Sequence, residues 1–471
     1  MVGSNERLIA HLMRRAGFGV SRNDLESLSP RGYEAIVEEL VDPAAYGIPG
    51  IDEGIQFRHY PGGLNPGNPL DMVSNWLNRM INSPRPLEEK TVLFWHQLFA
   101  TGYAKVDNAN QMLYQIDMFR EYGMGSYREL LVQLARNPAM LFWLDNNENH
   151  KDSPNENWGR ELLELFTIGQ GHYSEEDVKE CARAFTGWTV ARQLPKNPYG
   201  RYKWEFEYKP EDHDDREKVF LGHKGNFNGE EIITIILEQT ATPQFLARHL
   251  YNFFVEDEVQ IPSWLDVPPR NPEAVSAIAE TLRSTDFDMR STLRFIFNSN
   301  FFKDEKIWFK KVKSPAELIV GTMKLVRDYE EPKPTLIELA EESIFQGQYL
   351  LNPPSVEGWH TGQEWLDTGS LLQRINFASR QVANTKLPGI QSIISALAEK
   401  ETMSGEDLVK QCLDLMGLVE VDRETLTELV DHASKEGPIT WGEGETARLQ
   451  FASRVTETMQ LISSTREFQF C

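Results

Sequence analysis

Cysteine is scarce in this sequence, and long apolar runs are missing. The three cysteines, Cys181, Cys412 and Cys471, lie far apart and never form the C-x-x-C spacing of a zinc ribbon. We therefore expect neither a disulfide framework nor a zinc-ribbon site. No stretch of about 18 uncharged apolar residues occurs, and residues 1–15 lack the apolar segment of a signal peptide. These absences predict a cytoplasmic protein with no membrane insertion.

Positive charge is also in short supply. The chain has 48 Lys and Arg residues against 71 Asp and Glu residues, which gives a formal net charge of −23. Its basic residues come in short pairs, such as Arg14 with Arg15, so we expect no nucleic-acid partner. The sequence also lacks a Walker loop, a G-x-S-x-G elbow, an H-E-x-x-H zinc motif and a dinucleotide-binding glycine fingerprint. Since these motifs are absent, the sequence does not indicate any of the enzyme classes that they mark.

Material for a large core is plentiful, and it is arranged with helical spacing. Hydrophobic residues make up 40% of the chain, with 11 Trp and 25 Phe. In residues 242–255 the apolar positions step by one and four, which keeps them on one face of a helix and not of a strand. Similar patterns cover most of the chain and predict an all-α array of many helices. We expect a helical core domain over residues 1–387 and an acidic helical C-terminal subdomain over residues 388–471.

One segment departs from the helical pattern. Residues 201–208 alternate between aromatic and charged side chains, which is typical of a half-buried strand. We expect this strand to pair with residues 218–221, so that one small β-hairpin near residues 201–221 decorates the helical body. Residues 43–69 are rich in Gly and Pro and predict a long irregular loop, either a functional lid or a plain connection.

A polar loop between two apolar helical segments resembles a cation-binding loop. Asp145, Asn147 and Asn149 alternate, and Glu156 is twelfth when Asp145 is counted as the first. This is the ligand spacing of a calcium loop, and carboxylate and amide oxygens suit Ca²⁺ or Mg²⁺. His150 stands where that loop needs glycine for its sharp turn. The alternative is an Asn-rich turn that merely begins the next helix.

The helix after this loop carries closely spaced charges. Glu156, Arg160 and Glu164 follow at intervals of four, and Glu161 adds a third carboxylate. Such a ladder is usually a surface salt-bridge row. Next to a cation loop, the same carboxylates could instead supply metal ligands or a general base.

A second group of polar residues lies on a segment that is apolar nearly all round, residues 87–100. Such a helix is buried. Its Glu89 and His96 are seven residues apart and hence on the same side. They are either core polar residues satisfied by each other or by the backbone, or functional groups of a site.

Several motifs together resemble the bacterial family called domain of unknown function 1800. The resemblance covers about residues 5–385. The motifs are HLMRRAGFG at residues 11–19, FWH at 94–96, PNEN at 154–157 with REL at 160–162, GQGHY at 169–173, AFTGW at 184–188, and NPP at 352–354 with GW at 358–359 and Trp365.

The resemblance implies a mostly helical fold but no established activity. Members of this family resemble partners of a second uncharacterised family, numbered 1501, which is similar to sulfatases and phosphatases, so a protein partner of that type is implied. The positions that fall on the motifs include His96, Asp145, Asn149, Glu156, Arg160, Glu161 and Glu164. Two departures put any paired-histidine function in doubt: Leu98 stands where many members have a second His, and His360 where Pro is common.

Our leading hypothesis is metal-assisted hydrolysis. A divalent cation, Ca²⁺ or Mg²⁺, would be held by Asp145, Asn147, Asn149 and Glu156. Beside it, His96, Glu161 and Glu164 would form a polar pocket in which His96 or Glu161 acts as acid or base, and Arg160 orients carboxylates or an anionic substrate. The first alternative is a non-enzymatic scaffold for a sulfatase-like or phosphatase-like partner. The second is a carbohydrate-binding module that uses exposed Trp and Tyr on its loops.

Overall fold

The fold was established from a computed structural model that describes residues 3–52, 54, 58, 68–191, 204–261 and 264–471. These residues form 24 α-helices and three small two-stranded antiparallel sheets. The predicted mainly helical fold class is therefore confirmed. Most of the predicted loop at residues 43–69 lies outside the described residues.

The described residues in the first half of the chain form eleven of these helices. They are α1 Ser4–Arg15, α2 Arg22–Leu28, α3 Tyr33–Val41, α4 Pro69–Asn82, α5 Pro86–Leu98, α6 Tyr103–Val106, α7 Ala109–Tyr122, α8 Tyr127–Arg136, α9 Pro138–Trp143, α10 Asn157–Glu161 and α11 Glu175–Ala184. A single π-helical turn, Leu162–Thr167, continues α10 directly.

The second half contributes thirteen helices. They are α12 Gly229–Glu238, α13 Ala241–Phe254, α14 Pro272–Ser284, α15 Met289–Asn298, α16 Asn300–Lys303, α17 Pro315–Val326, α18 Leu336–Phe345, α19 Thr368–Ala383, α20 Pro388–Ala398, α21 Gly405–Leu415, α22 Arg423–Ser434, α23 Glu445–Ser464 and α24 Arg466–Gln469. Short 3₁₀ turns lie at Ser29–Arg31, Asn146–Glu148, Pro210–Asp212, Glu305–Ile307 and Gly362–Leu366.

The helices begin where local chemistry allows the first backbone N–H groups to find acceptors. At α11, the Ser174 side chain accepts from the Asp177 N–H, and the Asp177 carboxylate accepts from the Ser174 N–H. Ser314 and Glu317 form the same reciprocal cap at α17, which also has proline in its first turn. Such caps contribute about 1 kcal/mol each and mark helix starts that are encoded locally.

Helix α5 lies in the middle of the core, as its apolar surface predicts. Trp95 is fully buried, stacks on Phe99 with ring centroids 5.2 Å apart, and donates its indole N–H to the Gly123 carbonyl at 2.9 Å. Burial of a ring this large stabilises the fold strongly, and its polar N–H is satisfied. The predicted burial of residues 87–100 is confirmed.

One continuous apolar core extends from Ile9 in α1 to Phe468 in α24. The last long helix, α23, packs along α19, and α21 packs against α22. Apolar contacts therefore cross the predicted boundary near residue 387, and the division into residues 1–387 and 388–471 stays a prediction.

The strands correct the predicted hairpin. Strand β1, Trp188–Val190, pairs with β2, Phe206–Tyr208, while β3, Lys218–Phe220, pairs with β4, His223–Gly225. The predicted pairing of residues 201–208 with 218–221 is therefore wrong, and residues 201–203 lie outside the described part. Alternation revealed a strand but not its partner, because pairing is set by distant contacts. The third sheet joins β5, Thr402–Met403, to β6, Ile439–Thr440.

The described helices were compared with the requirements for a membrane-spanning helix. In the ranges that the structure describes, none combines the length and the hydropathy that crossing a bilayer requires.

Candidate active site

The site is built on the junction between α10 and the π-turn, Leu162–Thr167. Helix α10 packs closely on α11 at Gly159, where an added Cβ would lie 3.2 Å from the backbone of Val178 and Ala182. The following turn widens, since the Ile168 N–H donates to the Leu163 carbonyl at 3.1 Å, five residues back. Isolated π-turns inside helices occur frequently at functional sites.

Three carboxylates surround this turn, and we call them the acidic cluster: Glu161, Glu164 and Glu357. The pKa of Glu161 is raised to about 7, mainly by burial and also by the negative charges of Glu164 and Glu357, while Arg160 opposes the shift. Desolvation and like charge both disfavour the ionised carboxyl. Glu161 therefore exchanges its proton near neutral pH.

Glu164 is held in place by hydrogen bonds. It accepts one from the Tyr173 hydroxyl at 2.8 Å and another from the Gln170 side-chain amide. Burial and this hydrogen bond raise the pKa of Tyr173, so the phenol keeps its proton and remains a donor. Glu164 and Glu161 thus have different environments although they lie less than one turn apart.

Arg160 is fully engaged by carboxylates outside the acidic cluster. It donates to both Glu175 oxygens, at 2.8 and 2.7 Å, and to Glu156 at 3.1 Å. These hydrogen bonds, led by those to Glu175, raise the pKa of Arg160. The Glu156–Arg160 pair therefore has the geometry of the predicted surface salt bridge. Through its hydrogen bonds to Glu175, the Arg160 guanidinium also connects α10 to α11.

An open groove of about 540 Å³ lies beside the π-turn and is lined by Glu164 and Glu357. Its remaining wall mixes aromatic and polar side chains, among them Gln170, His172, Gln244, Phe245 and Trp264. Arg248, which also lines it, donates to Glu258 at 2.8 Å and lies under the Trp264 ring. The volume falls in the usual range for small-molecule sites, about 300–1,000 Å³.

His96 has a structural environment. Its Nε2 accepts from the Leu351 N–H at 3.0 Å, and its ring packs edge-on against Trp76 and Trp359. Complete burial lowers the pKa of His96 to about 3, so the ring is neutral. This geometry favours the alternative in which His96 is a core residue, with Nε2 satisfied by the backbone; its buried Nδ1 has no hydrogen-bond partner among the described residues.

Glu89 does not pair with His96. It accepts from the Trp76 indole at 3.1 Å and from Arg120 at 2.8 and 3.0 Å, and it forms an ion pair with Arg79. The two polar residues of α5 therefore have separate partners. Leu98, in the position where relatives often carry a second His, lines a small cavity of about 30 Å³ together with His249 and Glu357.

The predicted cation ligands have these surroundings. Asp145 adopts a left-handed conformation (φ 56°), forms an ion pair with Lys105 at 2.7 Å and accepts from the Asn157 amide at 3.1 Å. Asn149 is buried, and its side-chain oxygen Oδ1 accepts from the Asn155 N–H at 2.9 Å. Asn147 keeps a buried side-chain oxygen with no hydrogen-bond partner among the described residues.

Asp145, Asn149 and Glu156 thus already have protein partners, and the loop is held by its own hydrogen bonds. Within the described ranges, no three His, Cys, Asp or Glu side chains are grouped in a way that could hold a metal ion. The divalent-cation site therefore stays a prediction.

Sequence reasoning selected Glu161 and Glu164 but missed the residues that complete their surroundings. Glu357 immediately precedes the GW pair of the late motif, and Tyr173 follows the glycines after the π-turn. Neither residue has a local pattern that indicates a site.

The motifs lie in a helical fold with a groove beside a π-turn. Comparison with known families identifies the class of protein to which this fold belongs. The chain matches the family described as Protein of unknown function (DUF1800) over residues 11–470. It belongs to this family, as the motifs indicated. The match extends past residue 385 and includes most of the C-terminal helices. No curated protein and no solved structure matches the chain.

Proposed function

We propose that this protein is a hydrolase that works by acid–base catalysis in the groove, with Glu161 as the group that gives and takes the proton. The observation that carries the proposal is the pKa of Glu161, raised to about 7 by burial and by Glu164 and Glu357, the two carboxylates that line the groove. General acid–base catalysis is most efficient when the catalytic pKa lies near the working pH. Perturbed carboxyl groups at a concave surface are candidates for such roles.

The acidic cluster supports a division of labour between its members. Glu164 has its orientation set by Tyr173 and Gln170, so it can position a substrate hydroxyl or a water molecule. Among the described residues Glu161 has no comparable donors, and it supplies the proton. Pairs of carboxyl groups with contrasting environments commonly take separate catalytic roles.

The groove lining favours a ligand that presents both hydroxyl groups and an apolar face. Phe245 and Trp264 offer aromatic surface, while Gln170 and Gln244 offer amide donors and acceptors. Saccharides combine these features, because their ring faces stack on aromatic side chains. The same lining supports the second candidate function, carbohydrate binding without catalysis.

The proposal is tested with Glu161→Gln, which keeps the shape of the side chain and removes its titration. Purified protein is assayed against chromogenic glycosides, esters and phosphate esters across a range of pH. We expect the wild type to turn over one of these three substrate classes. Glu161→Gln is expected to lower kcat about 10²-fold or more and to remove the change in rate near neutral pH from the pH–rate profile. Glu176→Gln, an exposed position on α11, is the control.

Two results would reject catalysis at this site. One is an activity that Glu161→Gln leaves intact; the other is saccharide binding in the groove with no turnover of any of the three substrate classes. The second result would favour the carbohydrate-binding alternative.

A divalent cation at Asp145, Asn147, Asn149 and Glu156 is part of the same proposal, with metal-assisted hydrolysis as its finer form. The unpartnered oxygen of Asn147 supports it. Residues of this loop would hold Ca²⁺ or Mg²⁺ through oxygen atoms. Metal analysis of purified protein, and melting with and without a chelator, tests it: a bound ion raises Tm, and a metal-free protein with unchanged Tm rejects it.

A scaffold role beside a sulfatase-like or phosphatase-like partner of the family numbered 1501 rests on the family resemblance. The cytoplasmic location is likewise a proposal that rests on the sequence. Co-purification of an untagged partner of that type with the tagged protein tests the scaffold role. If no such partner is retained when both proteins are co-expressed, the scaffold role is rejected.

A further inference from the structure

A small cavity lies where α1, α17 and the C-terminal segment meet, far from the acidic cluster along the chain. Its volume is about 70 Å³. Arg14, Phe309, Lys313, Lys324 and Glu467 are among its lining residues, and we call it the cationic cavity. A space of this size accommodates several water molecules or one small ion.

Arg14 presents unsatisfied donors at this cavity. The residue is only 8% exposed, its guanidinium lies over the Phe309 ring, and its Nη1 donates to the Gly417 and Leu418 carbonyls at 3.2 and 3.4 Å. Its Nε and Nη2 are buried and have no partner among the described residues. Leaving charged donors buried without acceptors is costly, so they require a ligand or ordered water.

The unsatisfied Nε and Nη2 form the edge of a guanidinium that binds planar or tetrahedral oxyanions with two parallel hydrogen bonds. Other arginines of this protein use that edge for carboxylates. Arg7 holds Glu420 at 2.7 and 2.6 Å, and Arg120 holds Glu89 at 2.8 and 3.0 Å. Arg14 thus carries a standard oxyanion-binding edge that no group in the described part of the chain fills.

The charges around the cavity also favour an anion. The ammonium groups of Lys313 and Lys324 donate to the Phe468 and Ile81 carbonyls, at 2.7 and 3.2 Å, and not to carboxylates. Of the acidic groups lining the cavity, Glu317 is paired with Lys90, which leaves Glu467 and Cys471 as opposing charges in the described chain. Three cations therefore face two acidic groups.

Burial dominates the protonation of these cations and outweighs the negative charges nearby, among them that of Cys471. Burial lowers the pKa of Arg14 to about 10 and that of Lys313 to about 8. A nearby anion would favour the charged forms and reverse both shifts. The chain as a whole carries a net charge of −23, so an internal excess of positive charge is a local feature.

We propose that the cationic cavity binds one small tetrahedral oxyanion of the size of phosphate or sulfate, with two hydrogen bonds from the free edge of Arg14 and a third from Lys313. Arg14 belongs to the HLMRRAGFG motif, which has no part in the groove. The ion would tie α1 to α17 and to the C-terminal segment. The proposal is independent of the hydrolase proposal, since no residue is shared between the two sites.

The test uses inorganic phosphate and the full-length protein after exhaustive dialysis. Calorimetric titration is expected to show one site per chain. Phosphate at about ten times its dissociation constant is expected to raise Tm by about 1–2 °C over chloride of equal ionic strength. Sulfate is expected to compete with phosphate, and acetate to compete poorly.

Three variants locate the ion. Arg14→Gln and Lys313→Met each are expected to weaken phosphate binding about tenfold or more. Val20→Phe fills the cavity from its wall, where Val20 lies, and is expected to abolish binding while leaving every cation in place. Lys179→Met, an exposed position on α11, is the matched control for Lys313→Met and is expected to bind as the wild type does.

The proposal is overturned if the dialysed wild type binds neither phosphate nor sulfate, which would leave only water in the cavity. It is also overturned if Lys313→Met and Val20→Phe bind phosphate with unchanged affinity, since the ion would then lie elsewhere. Circular dichroism of each variant shows whether it folds. Should Arg14→Gln fail to fold, the other two variants decide the question.

Discussion

Two groups of buried or half-buried carboxylates in this protein have opposite surroundings. Glu89, on α5, receives hydrogen bonds from Trp76 and Arg120 and an ion pair from Arg79. Glu161, on α10, lies beside two further carboxylates, and its neighbour Arg160 is engaged by Glu175 and Glu156. A compensated carboxylate locks helices together, while an uncompensated one keeps its proton and remains available for chemistry.

The same contrast separates the arginines. Arg120 has its carboxylate, and Arg14 has none on its free edge. Sites in this molecule are therefore best recognised by charges that the fold leaves without a partner. Burial alone does not distinguish them, since Glu89 is more deeply buried than Glu161.

The largest expected effect comes from breaking the compensated side of this comparison. Arg120→Met leaves the Glu89 carboxylate buried with fewer donors, so we expect a loss of about 3 kcal/mol in the free energy of unfolding. Urea denaturation followed by tryptophan fluorescence measures it. The double variant Glu89→Gln with Arg120→Met should recover part of the loss, and a loss below about 1 kcal/mol for Arg120→Met would contradict a structural role for the pair.

A smaller effect, of opposite sign, is expected at Glu161. Its pKa in the folded protein is raised from 4.5 to about 7, so the folded state holds a proton that the unfolded chain releases in this window. Stability is therefore highest below the unfolded pKa and falls as pH rises through the folded pKa. Because glutamine does not titrate, Glu161→Gln removes this loss of stability with rising pH.

We expect Glu161→Gln to exceed the wild type by about 1 kcal/mol at about pH 8, a value reduced for solvent screening of a half-buried group, and to equal it at about pH 4. Denaturation at both pH values measures the difference. Parallel curves for wild type and variant across the whole range would show that Glu161 has an ordinary pKa.

The smallest expected effect on stability concerns a carboxylate whose ion-pair partner is exposed to solvent. Lys105 forms an ion pair with Asp145 at 2.7 Å, and both side chains are more than a third exposed. A cation bound by Asp145 would compete with this pair, so Lys105→Met should strengthen Ca²⁺ binding several-fold with little change in stability. Titration with Ca²⁺ measures it; equal, undetectable binding in both proteins would place Asp145 among the structural residues.

Much of the helical architecture was predictable because its signals are local. The periodic apolar pattern of residues 242–255 became α13, and the apolar surface of residues 87–100 became the buried helix α5. Strand pairing was not predictable in the same way. Residues 206–208 did form a strand, but the partner is Trp188–Val190, which belongs to a motif that showed no alternation.

The site shows the same division at the level of single residues. Glu161 and Glu164 could be selected because their spacing on one helix is visible in the chain. Glu357 could not, because it reaches the acidic cluster from a distant segment. His96 was selected with them, yet its partners are the Leu351 N–H and two tryptophan rings that the local pattern does not reveal.

By itself, the sequence determined the helices, the family and the choice of Glu161 and Glu164 as candidate site residues, since these depend on spacing along the chain. Only the tertiary structure decided which charges are neutralised, because partners such as Arg120 for Glu89, or Glu175 for Arg160, come from other helices. The physical reason is that a charge takes its pKa and its role from everything packed around it. The groove beside Glu164 and the cavity beside Arg14 therefore emerge only when the chain is folded.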